Sequence, residues 1–199
     1  MHITANFDAG NIDIINTQNK NDIQLASRPD EGGEFFQWFN FRLTGQAGEQ
    51  YTLNIVNAGE ASYVAGWENY QAVASYDREY WFRLPTTYKD GKLTIVADLE
   101  YDSIQIAYFA PYSYERHQDL LAAVQTHPLV ALEHLGETLD KRDLTLVKIG
   151  NGDSNSETQK RSIWITARQH PGETMAEWLV EGLIYALLDS DNATAKQLL

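Results

Sequence analysis

The chain has 199 residues, 43% hydrophobic and 22% charged, the make-up of a soluble globular protein with one large domain or two small ones. A formal net charge of −13 leaves no basic face to displace phosphate counterions or to sit on an anionic bilayer, which argues against nucleic acid and membrane surfaces as partners. There is no cysteine, hence neither a disulfide nor a thiolate metal site. The first eight residues lack a basic and apolar leader, and no stretch reaches the length of a bilayer span, so the cytoplasm is the expected compartment.

Residues 1–110 read as an all-β antiparallel sandwich. Short alternating runs recur at 2–7, 11–15, 22–27, 35–44, 50–57, 80–84, 92–100 and 103–110. Turn chemistry separates them: Asp8-Ala9-Gly10-Asn11, Glu31-Gly32-Gly33, Gly45-Gln46-Ala47-Gly48 and Lys89-Asp90-Gly91. In the run 35–43, Phe35, Gln37, Phe39, Phe41 and Leu43 share one parity, as in a core strand. Phe36, Trp38, Asn40 and Arg42 form an amphipathic outer face. Tyr63, Trp67, Tyr70, Tyr76 and Tyr80 crowd residues 61–80; a long loop packed on the sandwich by its rings is preferred to a binding platform.

The pattern changes at Pro111-Tyr112-Ser113-Tyr114. Leu120, Leu121 and Val124 stand at helical spacing, with Ser113 as N-cap and Pro128 as stop. The domain boundary is therefore expected near residue 111, with residues 111–199 opening an α/β domain on a mixed sheet. Residues 130–150 read as a hairpin turning at Asp140-Lys141-Arg142-Asp143, and 151–160 as an exposed polar loop. The apolar run 162–168 suits a strand buried on both faces. From Thr174 a helix is expected, its stripe formed by Met175, Trp178, Leu179, Gly182, Leu183, Ala186 and Leu187. Thr174 and Glu177 match a capping box. Asp189-Ser190-Asp191-Asn192 ends that helix and is too short for a calcium loop; Asn192-Ala193-Thr194 reads as a chance sequon.

Between strand and helix stands His170-Pro171-Gly172-Glu173. In open α/β sheets ligands bind beyond the carboxyl ends of strands. An imidazole and a carboxylate three positions apart across a tight turn can face one ion, and nitrogen with carboxylate oxygen suits zinc. Pro171 fixes φ and Gly172 permits a sharp turn. The plain alternative is a solvated loop with an ordinary histidine and a carboxylate at a helix start. His170-Pro171-Gly172-Glu173 resembles the first metal-binding motif of the metallocarboxypeptidase family. The β domain, the Pro-Tyr-Ser-Tyr segment and the helix before the motif are similar to the cytosolic carboxypeptidase branch. The resemblance implies that His170 and Glu173 are zinc ligands, that zinc is the cofactor, and that the substrate is a peptide or protein C-terminus.

The same resemblance implies a third histidine ligand, a general-base glutamate and a carboxylate-gripping arginine further along, expected beyond residue 199. His2, His117, His127 and His134 have ordinary structural readings, and Arg168 matches no family position and receives no role. No catalytic residue is identifiable in these 199 residues, and the chain alone is expected to be inactive. Two other readings compete: a zinc amidase or deacylase on the same type of fold, and a non-catalytic module in which the β-sandwich binds a partner. Serine and cysteine nucleophile motifs and phosphate loops are missing from the sequence.

Overall fold

The computed structural model describes residues 1–30, 32–150 and 161–199. The chain divides into two compact units, residues 1–111 with 170–174, and residues 112–169 with 175–199.

The first unit holds ten strands: β1 (His2–Thr4), β2 (Asp13–Asn16), β3 (Ile23–Ala26), β4 (Asn40–Thr44), β5 (Gln50–Ile55), β6 (Val73–Ser75), β7 (Phe82–Arg83), β8 (Thr86–Lys89), β9 (Lys92–Asp98) and β10 (Ser103–Ala107). They form two five-stranded sheets, ordered β1-β4-β10-β6-β7 and β2-β3-β5-β9-β8. Every pairing is antiparallel except β3 with β5, which is parallel and corrects the purely antiparallel expectation. The period of two explains the core. Phe41 and Leu43 of β4 and Ile104 and Ile106 of β10 point inward from one sheet. Leu53 and Ile55 of β5 and Leu93 and Ile95 of β9 do so from the other, and all belong to one buried cluster.

Within the 35–44 run the strand begins at Asn40. Before it, the Gln37 side chain stands in for a strand partner: its amide donates to Tyr63 O at 3.2 Å and its Oε1 accepts from Tyr63 N–H at 2.9 Å. Two short strands lie outside the expected runs, β6, which is buried throughout, and β8, and 3₁₀ turns at Ala58–Glu60 and Val64–Trp67 occupy part of the aromatic segment. Trp67 and Tyr70 are buried there, their rings 5.3 Å apart, which is the packing role expected of the segment. The β8–β9 hairpin turns on Asp90 (φ 51°) and Gly91 (φ 78°), two left-handed residues between the paired Lys89 and Lys92. That is the type I′ geometry that Asp-Gly favours.

The second unit begins with α1 (Tyr114–Val124), capped as expected: Ser113 Oγ accepts from Arg116 N–H at 3.2 Å. The hairpin β11 (Val130–Glu137) and β12 (Asp143–Ile149) follows, with a bulge between His134 and Gly136. The loop read at 151–160 lies outside the described residues. Helices α2 (Thr174–Leu188) and α3 (Ala193–Leu198) close the chain, α3 capped by Asn192, whose side chain accepts from Thr194 and Ala195 N–H at 3.1 Å.

Two expectations fail in this unit. Residues 162–168 adopt no strand, and Ile163 and Trp164 are 77% and 72% exposed. A strand buried on both faces needs neighbours on both edges, and among the described residues no strand pairs with this segment. Much of the predicted stripe of α2 is also uncovered, with Leu179 72% and Met175 46% exposed, although Trp178 packs against Tyr112 and Arg116. The packed face instead carries Ile184, Val180 and Leu188 against Leu120, Val124, Val130 and the β12 residues Val147 and Ile149. A helix apolar all round offers two faces for burial, and its periodicity alone does not say which is covered here.

Arg116 locks α1 to α2. Its Nε and Nη2 donate to the two Glu181 carboxylate oxygens at 3.0 and 2.7 Å, while the guanidinium lies 4.0 Å from the Trp178 ring centre. Burial opposes ionisation of Glu181, but the Arg116 hydrogen bonds outweigh it and hold the carboxyl below its ordinary value of 4.5. Burial, then the Glu181 carboxylate, pushes the Tyr112 phenol up. The Tyr112 hydroxyl makes no hydrogen bond of ordinary geometry, so the influence of Glu181 on it is electrostatic. A depressed folded-state carboxyl stabilises the fold above pH 4.5 and loses that contribution as pH falls through the folded value. Glu181→Gln should therefore cost about 1–2 kcal/mol at neutral pH, a charge-assisted bond discounted for partial exposure. The cost should shrink in acid; urea unfolding at neutral pH and below pH 4 checks both.

Candidate metal centre

The His-Pro-Gly-Glu segment is a single tight turn. Glu173 N–H donates to His170 O at 3.0 Å, and Pro171 and Gly172 occupy the corner. Gly172 is not in the left-handed region, so proline's fixed φ at the second position suits a type I turn and glycine's special freedom is not used. Both His170 and Glu173 are exposed. Immediately after them the backbone enters α2.

The helix start is held differently from the expected capping box. Thr174 is fully buried and its Oγ1 donates to Ala110 O at 2.9 Å. The Glu177 carboxylate is engaged by Arg168, whose Nη1 donates to Glu177 Oε2 at 2.6 Å and to Tyr112 O at 2.7 Å. A tertiary ion pair has replaced the local cap. Arg168 also has φ 54°, a left-handed backbone that costs an L-residue roughly 1–2 kcal/mol. The sequence carries no signal for either feature, since left-handed positions are normally read from glycine or asparagine.

The donor set fits a zinc ion in part. A neutral imidazole nitrogen and a carboxylate oxygen are two of the three protein ligands a catalytic zinc takes. The other histidines are placed elsewhere. His117 stacks on Tyr114 with ring centres 6.2 Å apart, His127 Nδ1 accepts from Leu129 N–H at 3.2 Å, His134 Nδ1 lies 3.6 Å from Asp143 Oδ1, and His2 is on β1. Among the described residues no three His, Cys, Asp or Glu side chains converge on one point.

Residues 3–109 match the family model described as the cytosolic carboxypeptidase N-terminal domain, and residues 117–199 match the zinc carboxypeptidase model. The chain belongs to the cytosolic carboxypeptidase branch of the zinc carboxypeptidases. A solved structure described as a carboxypeptidase A from Shewanella denitrificans superposes with a TM-score of 0.94 at 68% identity, covering 98% of this chain and 51% of its own. The Pseudomonas aeruginosa metallo-carboxypeptidase, solved with (2-guanidinoethylmercapto)succinic acid, gives 0.88 at 39% identity over 96% and 50%. Human cytosolic carboxypeptidase 6 is 30% identical over 90% of this chain and 39% of its own length. The chain thus spans about half the length, or less, of these three proteins.

Proposed function

We propose that the 199 residues are the opening portion of a zinc carboxypeptidase and that His170 and Glu173 bind its metal. The observation that carries this reading is the His170–Glu173 turn. It is closed by the Glu173 N–H to His170 O hydrogen bond and leaves both residues exposed just before a helix, within the segment that matches the zinc carboxypeptidase model. When bound, zinc polarises the scissile carbonyl and lowers the pKa of its water. His170 and Glu173 would supply two of the ligands that hold the ion. The third ligand, the base and the group that grips the substrate carboxylate come from sequence after residue 199.

The substrate in this reading is the C-terminus of a peptide or protein. The dicarboxylate ligand of the Pseudomonas aeruginosa protein is in keeping with a pocket that receives a terminal carboxylate. The cytoplasm is the proposed compartment, in line with relatives named cytosolic. The domain boundary is proposed near residue 111, with the sandwich as a separate module ahead of the catalytic domain.

The test is made on the protein extended beyond residue 199 to the length of its relatives. It should contain about one zinc per chain and release C-terminal amino acids from a peptide mixture, with activity lost on chelation and regained on adding zinc. An extended protein that purifies with zinc but leaves peptide C-termini intact while cleaving N-acyl amides would replace the peptidase reading by the amidase one.

A further inference from the structure

We propose that Arg168 is a positioning residue that holds the metal-binding turn in shape. The assignment rests on the zinc reading of His170 and Glu173 given above. Arg168 stands two residues before His170, and Glu177 four residues after Glu173. The 2.6 Å contact between them therefore brackets, along the chain, the residues of the tight turn. The same Nη1 is pinned to the Tyr112 carbonyl at 2.7 Å, so the clamp is tied to the segment that leads into α1. Both side chains are about four-fifths buried, at 21% and 22% exposure, which limits competition from water.

The backbone supports the same assignment. Arg168 adopts φ 54° although it is neither glycine nor asparagine. A left-handed residue reverses the chain direction sharply just before His170, and such conformations persist where surrounding contacts over-determine them. Here those contacts include the two short hydrogen bonds of the guanidinium. Glu177 is drawn into the clamp and away from a local cap, and Thr174 secures the helix start through Ala110 instead. A metal pair needs its two donors fixed relative to each other before the ion arrives, and partners that orient ligands carry roughly 10- to 100-fold in metal affinity.

The experiment uses the extended protein and measures zinc affinity by competition with a chromogenic chelator, with the visible spectrum of the cobalt-loaded form as a second readout. Arg168→Asn keeps tolerance of the left-handed backbone but removes the clamp. It should weaken zinc binding roughly tenfold or more and shift the cobalt bands. Glu177→Gln should do the same in smaller measure, because the Tyr112 contact remains. The double variant should be no worse than Arg168→Asn alone, since Glu177 acts through Arg168. Arg168→Lys should recover part of the loss. If Arg168→Asn does not fold, Glu177→Gln, which alters one atom, decides the matter. Unchanged affinity and cobalt spectrum in folded Arg168→Asn or Glu177→Gln, with zinc lost in His170→Ala, would overturn the positioning role alone. Full zinc retention in His170→Ala would bring down the metal reading and this assignment with it.

Discussion

Replacing His170 or Glu173 by alanine in the extended protein should strip its zinc. Each removes one of the three protein ligands of a catalytic site. Partners that merely orient a ligand are worth roughly 10- to 100-fold in affinity, so loss of a ligand itself should exceed about 100-fold. Dialysed His170→Ala and Glu173→Ala proteins should then carry little metal by elemental analysis, while the wild type keeps its ion. Gln169→Ala is the internal control. Gln169 is exposed and its Nε2 donates to Thr166 Oγ1 at 2.7 Å, so its removal should leave zinc content unchanged. The fold should survive all three changes, because His170 and Glu173 are exposed and the turn is closed by backbone atoms. Stoichiometric zinc in both His170→Ala and Glu173→Ala would refute the assignment.

The parts of this architecture that sequence reasoning reached are those decided within a few residues. Ser113 caps α1 because its side chain meets an N–H three positions on. Asp90-Gly91 turns a hairpin because both residues tolerate positive φ. Phe41 and Leu43 are buried and Arg42 between them is exposed because β4 alternates there, whereas Trp38 and Asn40, expected on the outer face, are buried as well. The parts it missed are decided by partners distant in sequence. The run 162–168 has the composition of a doubly buried strand, yet composition cannot supply the neighbouring strands that would bury it. In α2 both faces are apolar, and whether Leu179 or Ile184 is covered depends on what α1 and the hairpin present. Thr174 and Glu177 spell a capping box, but Ala110 and Arg168 each offer a better partner. For the candidate metal centre the same division holds. The turn His170-Pro171-Gly172-Glu173 could be read directly, whereas the Arg168 clamp joins residues 112, 168 and 177 and leaves no local trace.

The sandwich should be most sensitive at Phe39. Its side chain is fully buried and its ring lies 6.0–6.5 Å, centre to centre, from Phe41, Trp67, Tyr70 and Tyr108. Those neighbours are themselves fixed: Trp67 Nε1 donates to Ala58 O at 2.9 Å and Tyr70 Oη to Tyr108 O at 2.6 Å. A cavity left by Phe39→Ala therefore cannot collapse without breaking buried hydrogen bonds, and the cost should sit in the range of about 3–5 kcal/mol for a large aromatic. Phe35 shares the parity of Phe39 in the sequence but lies before the paired strand and is 55% exposed. Phe35→Ala should stay within roughly 0.5 kcal/mol of wild type, as exposed substitutions do. Urea unfolding followed by near-ultraviolet circular dichroism, which reports the ring cluster, measures both. Equal losses at the two positions would mean that residues 35–39 pack as one continuous core strand. A loss confined to Phe39 follows from a chain that enters the sandwich only where the Gln37 side chain replaces backbone pairing with Tyr63.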